Sequence, residues 1–124
     1  MIYSIVGTHI HIREKGHQEL LKMGVVTHHV YGEHVEELEQ LVDASSLFGD
    51  PVIVLCIQLG DNTHAKDELK RLLDRMQESS NIFVVDEPFA DVHLFNRLTK
   101  VSKKVFDARE EKIKDMSVFA LCDA

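Results

Sequence analysis

Hydrophobic residues along this chain follow two rhythms. Near-continuous apolar runs occupy Ile2 to Val6, Val52 to Gln58 and Ile82 to Val85, and the first and third of the chain's β-like segments are closed by Gly7 and Gly60. Runs this short and this apolar fit strands of a parallel sheet covered on both faces. Two weaker β-like segments, Val25 to Tyr31 and Lys104 to Phe106, complete a set of five. Between them the spacing changes to that of helices. Leu69, Leu72, Leu73 and Met76 lie three and four apart, as do Leu94, Phe95, Leu98 and Val101, and Val35, Leu38, Leu41 and Val42. Each stripe is interleaved with polar residues, the mark of a helix with one buried face. Asp61 or Asn62 is placed to cap the helix before Leu69. A first helix is expected over His11 to Met23, interrupted by Gly16 and closed by Gly24 in a left-handed conformation. Strand and helix in alternation predict an α/β fold, with a mainly parallel five-stranded sheet and helices on both faces.

A length of 124 residues suits one such domain. The chain is 44% hydrophobic and 28% charged, which supports a folded soluble core over disorder. Its net charge of -7 gives no general attraction to phosphates, so direct DNA binding is not expected. No apolar run approaches membrane-spanning length, and "MIYSIVG" is too short for a signal peptide. Cys56 and Cys122 follow no metal or disulfide spacing, which suggests reduced thiols in a cytoplasmic protein.

An α/β chain directs attention to the turn after strand one. A phosphate loop needs closely spaced glycines, whose amides cradle phosphate, and then Lys followed by Ser or Thr. The sequence here is "IVGTHIHIREKG", which lacks both and lacks GxGxxG as well. No nucleotide cofactor is expected. "IFVVDEP", residues 82–88, has the outline of a magnesium-binding strand end, but without a phosphate loop its ordinary meaning is a strand ending in a solvated acidic turn. His9 and His11, and the adjacent His28 and His29, could approach a metal. Neighbouring strand residues point to opposite faces, however, and no cysteine or carboxylate joins them at ligand spacing, so no metal is expected. Cys56 lies mid-strand and should be inert. Ser45 and Ser46 lack a nucleophile-elbow setting. Arg97, Lys100, Lys103 and Lys104 read as a solvated helix end.

One pair remains unexplained by a core. Leu47 and Phe48 sit between Ser45–Ser46 and Gly49–Asp50, on the connection leading into strand three. Either they tuck under the sheet, or they form an apolar plug for a pocket on another protein, where each buried side chain would contribute roughly 1.5–3 kcal/mol.

At these residues "SSLFGDPVIVLCIQL" resembles the delta subunit of the bacterial DNA polymerase III clamp loader. The end of the chain, "VFDAREEKIKDMSVFALCDA", is similar to that family's passage into its second domain. The resemblance spans essentially all of this chain but only the N-terminal third or so of a delta subunit. It implies a three-layer α/β/α, P-loop NTPase-like (AAA+, RecA-like) domain over 1–114, with sheet order 5-1-4-3-2, a degenerate P-loop and no bound ATP. Residues 115–124 would begin a second, truncated domain, and Met116, Val118, Phe119 and Leu121 would be poorly anchored without it. It further implies a role in DNA replication: insertion of Leu47 and Phe48, flanked by Ser46 and Gly49, into the sliding clamp, with DNA engaged only indirectly. Contacts with the other loader subunits would run through domains outside this chain. The first turn departs from the family pattern, with Thr8, His9 and Ile10 where an acidic and an aromatic residue are usual.

Two other classes are testable against this expectation. A small α/β metal-dependent hydrolase would use His9, His11, Asp86 and Glu87. A receiver-like regulatory domain would need an acidic pair after strand one and a phosphoacceptor aspartate directly after strand three. Thr8 and His9 follow the first, and Asp61 comes late after the third.

Overall fold

The computed structural model describes residues 1–44 and 51–109. Five strands and four α-helices alternate: β1 (Ile2–Gly7), α1 (Ile10–Leu21), β2 (His28–Tyr31), α2 (Glu36–Asp43), β3 (Ile53–Ile57), α3 (Thr63–Glu78), β4 (Ile82–Glu87), α4 (Val92–Val101) and β5 (Lys104–Ala108). Single 3-10 turns at Gly32–His34 and Leu59–Asp61 precede α2 and α3. The strands form one sheet in the order β2-β3-β4-β1-β5, and every pairing is parallel. Read from β5 this is 5-1-4-3-2. The architecture is compatible with a Rossmann- or P-loop-like fold.

The layers follow from the two apolar rhythms. Alternate residues of β1 feed different faces: Ile2 and Val6 join one core, Ile5 the other. The larger core lies beneath α2, α3 and α4. There the predicted stripe Leu69, Leu72, Leu73 and Met76 is wholly buried, with Leu38 and Leu94 beside it. Leu72→Ala in this layer should cost about 2–5 kcal/mol. Among the described residues, α1 covers the opposite face, through Leu20 against Ile5, Val84 and Phe106. Asn62 caps α3 by accepting from the Ala65 amide at 3.1 Å, and Asp91 caps α4 by accepting from the Leu94 amide at 2.8 Å. Each such cap is worth about 1 kcal/mol.

Three expectations need correction. Gly16 does not interrupt α1. It lies where the helix crosses the sheet, and an added Cβ would come within 3.0 Å of Phe106 Cγ and 3.2 Å of Ile5. Strand β2 begins at His28 rather than Val25. Gly24 turns the chain at a positive φ of +142°, and Thr27 meets β3 ahead of the strand, its backbone amide and its hydroxyl both donating to the Ile53 carbonyl, at 2.9 and 3.0 Å. The acidic pair at the end of β4 is not a solvated turn. Asp86 and Glu87 belong to the strand, in register with Ile5 and Val6, and are 7% and 1% exposed. Of the basic group, Arg97 donates to the Lys70 carbonyl and Lys104 pairs with Glu19 on α1. The expectations for residues 115–124, Cys122 included, lie outside the described residues.

Candidate functional site

Helix α1 leaves β1 toward one face of the sheet, and α4 leaves the neighbouring β4 toward the other. Between two such strands the chain ends diverge and open a crevice, the usual place for ligands in open α/β sheets. Here it has a volume of about 570 Å³ and is lined by Gly7 at the end of β1 and Thr8 after it, Phe89, Val92 and Phe95 beyond β4, and Arg109 after β5. Phe89 and Val92 are largely exposed at its rim, and the Arg109 guanidinium stacks on the Phe95 ring at 3.6 Å while pairing with Asp107. Gly7 has φ +107°, and a Cβ there would lie 2.1 Å from the Ala108 carbonyl carbon, so only glycine lets β1 and β5 approach this closely.

The first turn is closed by an arginine. Arg13, one turn into α1, donates from Nη1 to the Gly7 carbonyl at 2.8 Å and from Nη2 to Asp86 Oδ1 at 2.6 Å. His17 Nε2 lies 3.4 Å from the other oxygen of Asp86. A guanidinium therefore bridges the ends of β1 and β4 on the α1 face.

Glu87, the next residue, points to the opposite face, as strand alternation requires. Both its oxygens accept from the Gly60 amide, at 2.9 and 3.0 Å, in the 3-10 turn ahead of α3. Burial, opposed by the amides of Gly60 and Leu59 and reinforced by the nearby charges of Asp61 and Asp86, pushes its carboxyl up to about 7. Burial likewise pushes the Cys56 thiol up, consistent with the inert role read from its position.

The hydrolase expectation needs His9, His11, Asp86 and Glu87 to converge. His9 precedes α1 and His11 lies exposed in its first turn, with ring centroids 5.7 Å apart. Asp86 and Glu87 diverge to opposite faces, the first committed to Arg13. Among the described residues no group of three His, Cys, Asp or Glu side chains is placed to hold a metal ion. His28 and His29 are both exposed on the edge strand β2.

Ser46, Leu47, Phe48 and Gly49 lie outside the described residues. The groups that hold the ends of their connection are described. Asn81 Nδ2 donates to the Leu41 and Ala44 carbonyls at 2.8 and 2.7 Å, and its Oδ1 accepts from the Val52 amide at 3.0 Å. Ser79 Oγ donates to the Val42 carbonyl at 2.8 Å, and Arg75 pairs with Asp43 at 2.7 Å. Arg13 and Asn81 were not singled out by the sequence. The one available sign for Asn81 is a polar residue directly before an apolar strand; Arg13 has none, since its partner is 73 positions away.

No protein-family model matches this chain, and no curated protein sequence does.

Proposed function

We propose that this chain is the sliding-clamp-binding module of a clamp-loader delta-like subunit of DNA polymerase III, acting in replication without hydrolysing ATP. Leu47 and Phe48, with Ser46 and Gly49 beside them, are its contact residues. The observation that carries the reading is the all-parallel order β2-β3-β4-β1-β5 around a first turn that has no phosphate loop. That is the arrangement the resemblance in "SSLFGDPVIVLCIQL" implies. In this reading the domain is an AAA+ relative whose nucleotide site has degenerated. Arg13 ties the Gly7 carbonyl to Asp86 at the turn where phosphate would be held in an active relative. The work done on the clamp is then binding energy directed at one conformation of the ring, with no covalent step.

The test is binding of the whole chain to the purified sliding clamp of the same organism. Wild type should bind in the micromolar range. Leu47→Ala with Phe48→Ala should remove roughly 3–6 kcal/mol of burial and abolish such binding. The double variant should keep its thermal unfolding midpoint, because the pair is taken to serve the partner and not the core. Normal binding by a folded double variant would place the contact elsewhere, and an unfolded one would return the pair to the core.

A further inference from the structure

Glu87 ends β4 in a place with nothing to balance its charge. It is almost wholly buried, and among the described residues it forms no ion pair. Its surroundings add charge of the same sign, Asp61 from the turn ahead of α3 and Asp86 from β4 itself. From β3 it meets the Cys56 thiol, from β1 its register partner is Val6, and from α4 Leu94 closes over the same spot. Lys66 on α3 feels the carboxylate across space, but its ammonium is bonded to Asp91 at 2.8 Å. What holds Glu87 is therefore backbone amide, with Gly60 N–H shared between its two oxygens. A buried carboxyl without a cation keeps its proton in preference to its charge.

The turn on the other side of this contact is weakly secured. It is a single 3-10 turn, and its own bonds are long, 3.2 Å from the Asp61 amide to the Gln58 carbonyl and 3.3 Å from the Asn62 amide to the Leu59 carbonyl. Gln58 enters it at φ +51° and ψ +39°, the one side-chain-bearing position among the described residues with positive φ. Such a backbone persists only while its surroundings impose it. Leu59 is sunk in the core and supplies a pivot, and Asn62 at the far end caps α3 through the Ala65 amide. A space of about 350 Å³ lies alongside, between Tyr31, Gly32 and Glu33 on one side and Gln58, Asp61 and Asn62 on the other, and leaves the turn room to move.

We infer that the Gly60–Asn62 turn is a proton-operated latch: with Glu87 protonated it lies closed on β4, and ionisation of Glu87 favours an open form in which water reaches the carboxylate and the cap on α3 loosens. The latch stands apart from the clamp-binding reading and does not depend on it. The direction follows from where the proton is held. In the closed form burial keeps it on up to about pH 7, whereas a glutamate in water gives it up near its ordinary value. The open fraction accordingly rises with pH through neutrality, by about ten-fold between pH 6 and pH 8.

Amide exchange by NMR on the whole chain tests this, with each rate divided by the intrinsic rate at its pH. In wild type the opening constants at Gly60 and Ala65 should rise about ten-fold from pH 6 to pH 8, and in Glu87→Gln they should stay level. Low urea should scarcely affect exchange at these two amides while quickening it at Val85 inside β4, the mark of a local opening. A flat wild-type profile would overturn the inference. So would a rise that Glu87→Gln retains, or a urea dependence at Gly60 equal to that at Val85. Should Glu87→Gln not fold, the Glu87 side-chain carboxyl resonance of wild type decides. Titration in step with Gly60 opening supports the latch, and titration in the ordinary glutamate range overturns it.

Discussion

Glu87 grips Gly60 with both carboxylate oxygens, so that the last residue of β4 and the turn leading into α3 are locked together inside the protein. The fit is close: a Cβ on Gly60 would stand 2.6 Å from Glu87 Oε2 and 3.3 Å from Leu94 Cδ2. Gly60→Ala should therefore lower stability by about 1–3 kcal/mol, the range for overpacking a filled site. Urea denaturation would measure it, and an unchanged midpoint would contradict the fit described.

The same carboxylate makes stability depend on pH. Its proton is held more tightly in the folded chain, up to about 7, than in the unfolded chain, where an ordinary glutamate applies. The folded state thus binds the extra proton between those limits. The contribution is full below about pH 4.5 and is lost as pH rises through 7, a decline on the order of 3 kcal/mol. Glu87→Gln should flatten the curve between pH 5 and 8. Asp91 behaves in the opposite sense, since its bond to Lys66 and then the Leu94 amide hold it down to about 2. Its contribution is present above the ordinary aspartate range and fades only in strong acid. Thermal midpoints of wild type and Glu87→Gln across pH 4–9 test the first statement, and wild type against Asp91→Asn between pH 4 and 2 tests the second; parallel curves would remove the statement concerned.

Arg13 and Asp86 form a mostly buried pair at 2.6 Å. Removing one member leaves the other charge stranded, and Arg13→Met should cost roughly 2–4 kcal/mol. Asp86→Asn should cost less, because an amide oxygen can still accept from the guanidinium. A double-mutant cycle would show a coupling of at least about 1 kcal/mol, and an additive result would mean the pair is replaced by water.

At Gly16 two effects compete. Alanine would gain about 1 kcal/mol of helix propensity, yet its Cβ must fit 3.0 Å from Phe106 Cγ. The two nearly offset, so Gly16→Ala should stay within about 1 kcal/mol of wild type. Gly16→Val adds two more carbons with no room for them and gives up helix propensity; a loss of about 2 kcal/mol or more is expected. Calorimetry on the pair of variants separates the terms, and an equally stable valine variant would show that α1 can lift from the sheet.

Local rhythm explains what could be read from the chain. The runs at Ile2, Val52 and Ile82 became the three inner strands, because strands covered on both faces need apolar residues throughout. The stripes on α2, α3 and α4 marked their buried sides for the corresponding helical reason. The strand order came from the resemblance, since periodicity carries no information about which strands are neighbours. The misread features were all set by distant partners. The acidity of Asp86 and Glu87 suggested water, and their burial is made possible by Arg13 and by an amide of another turn. Gly16 looks like a helix breaker until Ile5 and Phe106 are placed against it. Asn81 joins groups 29 to 40 positions away, a relation that leaves no pattern along the chain.

Among the described residues, Asn81, Ser79 and Arg75 hold Ala44, Val52, Val42 and Asp43, on either side of positions 45–50. Both stems are therefore fixed by side chains that lie far along the chain, ahead of β4. A chemist who grafts a foreign hexapeptide between Ala44 and Pro51 has two ready-made fixed ends to join it to, each held by a group that the graft leaves in place.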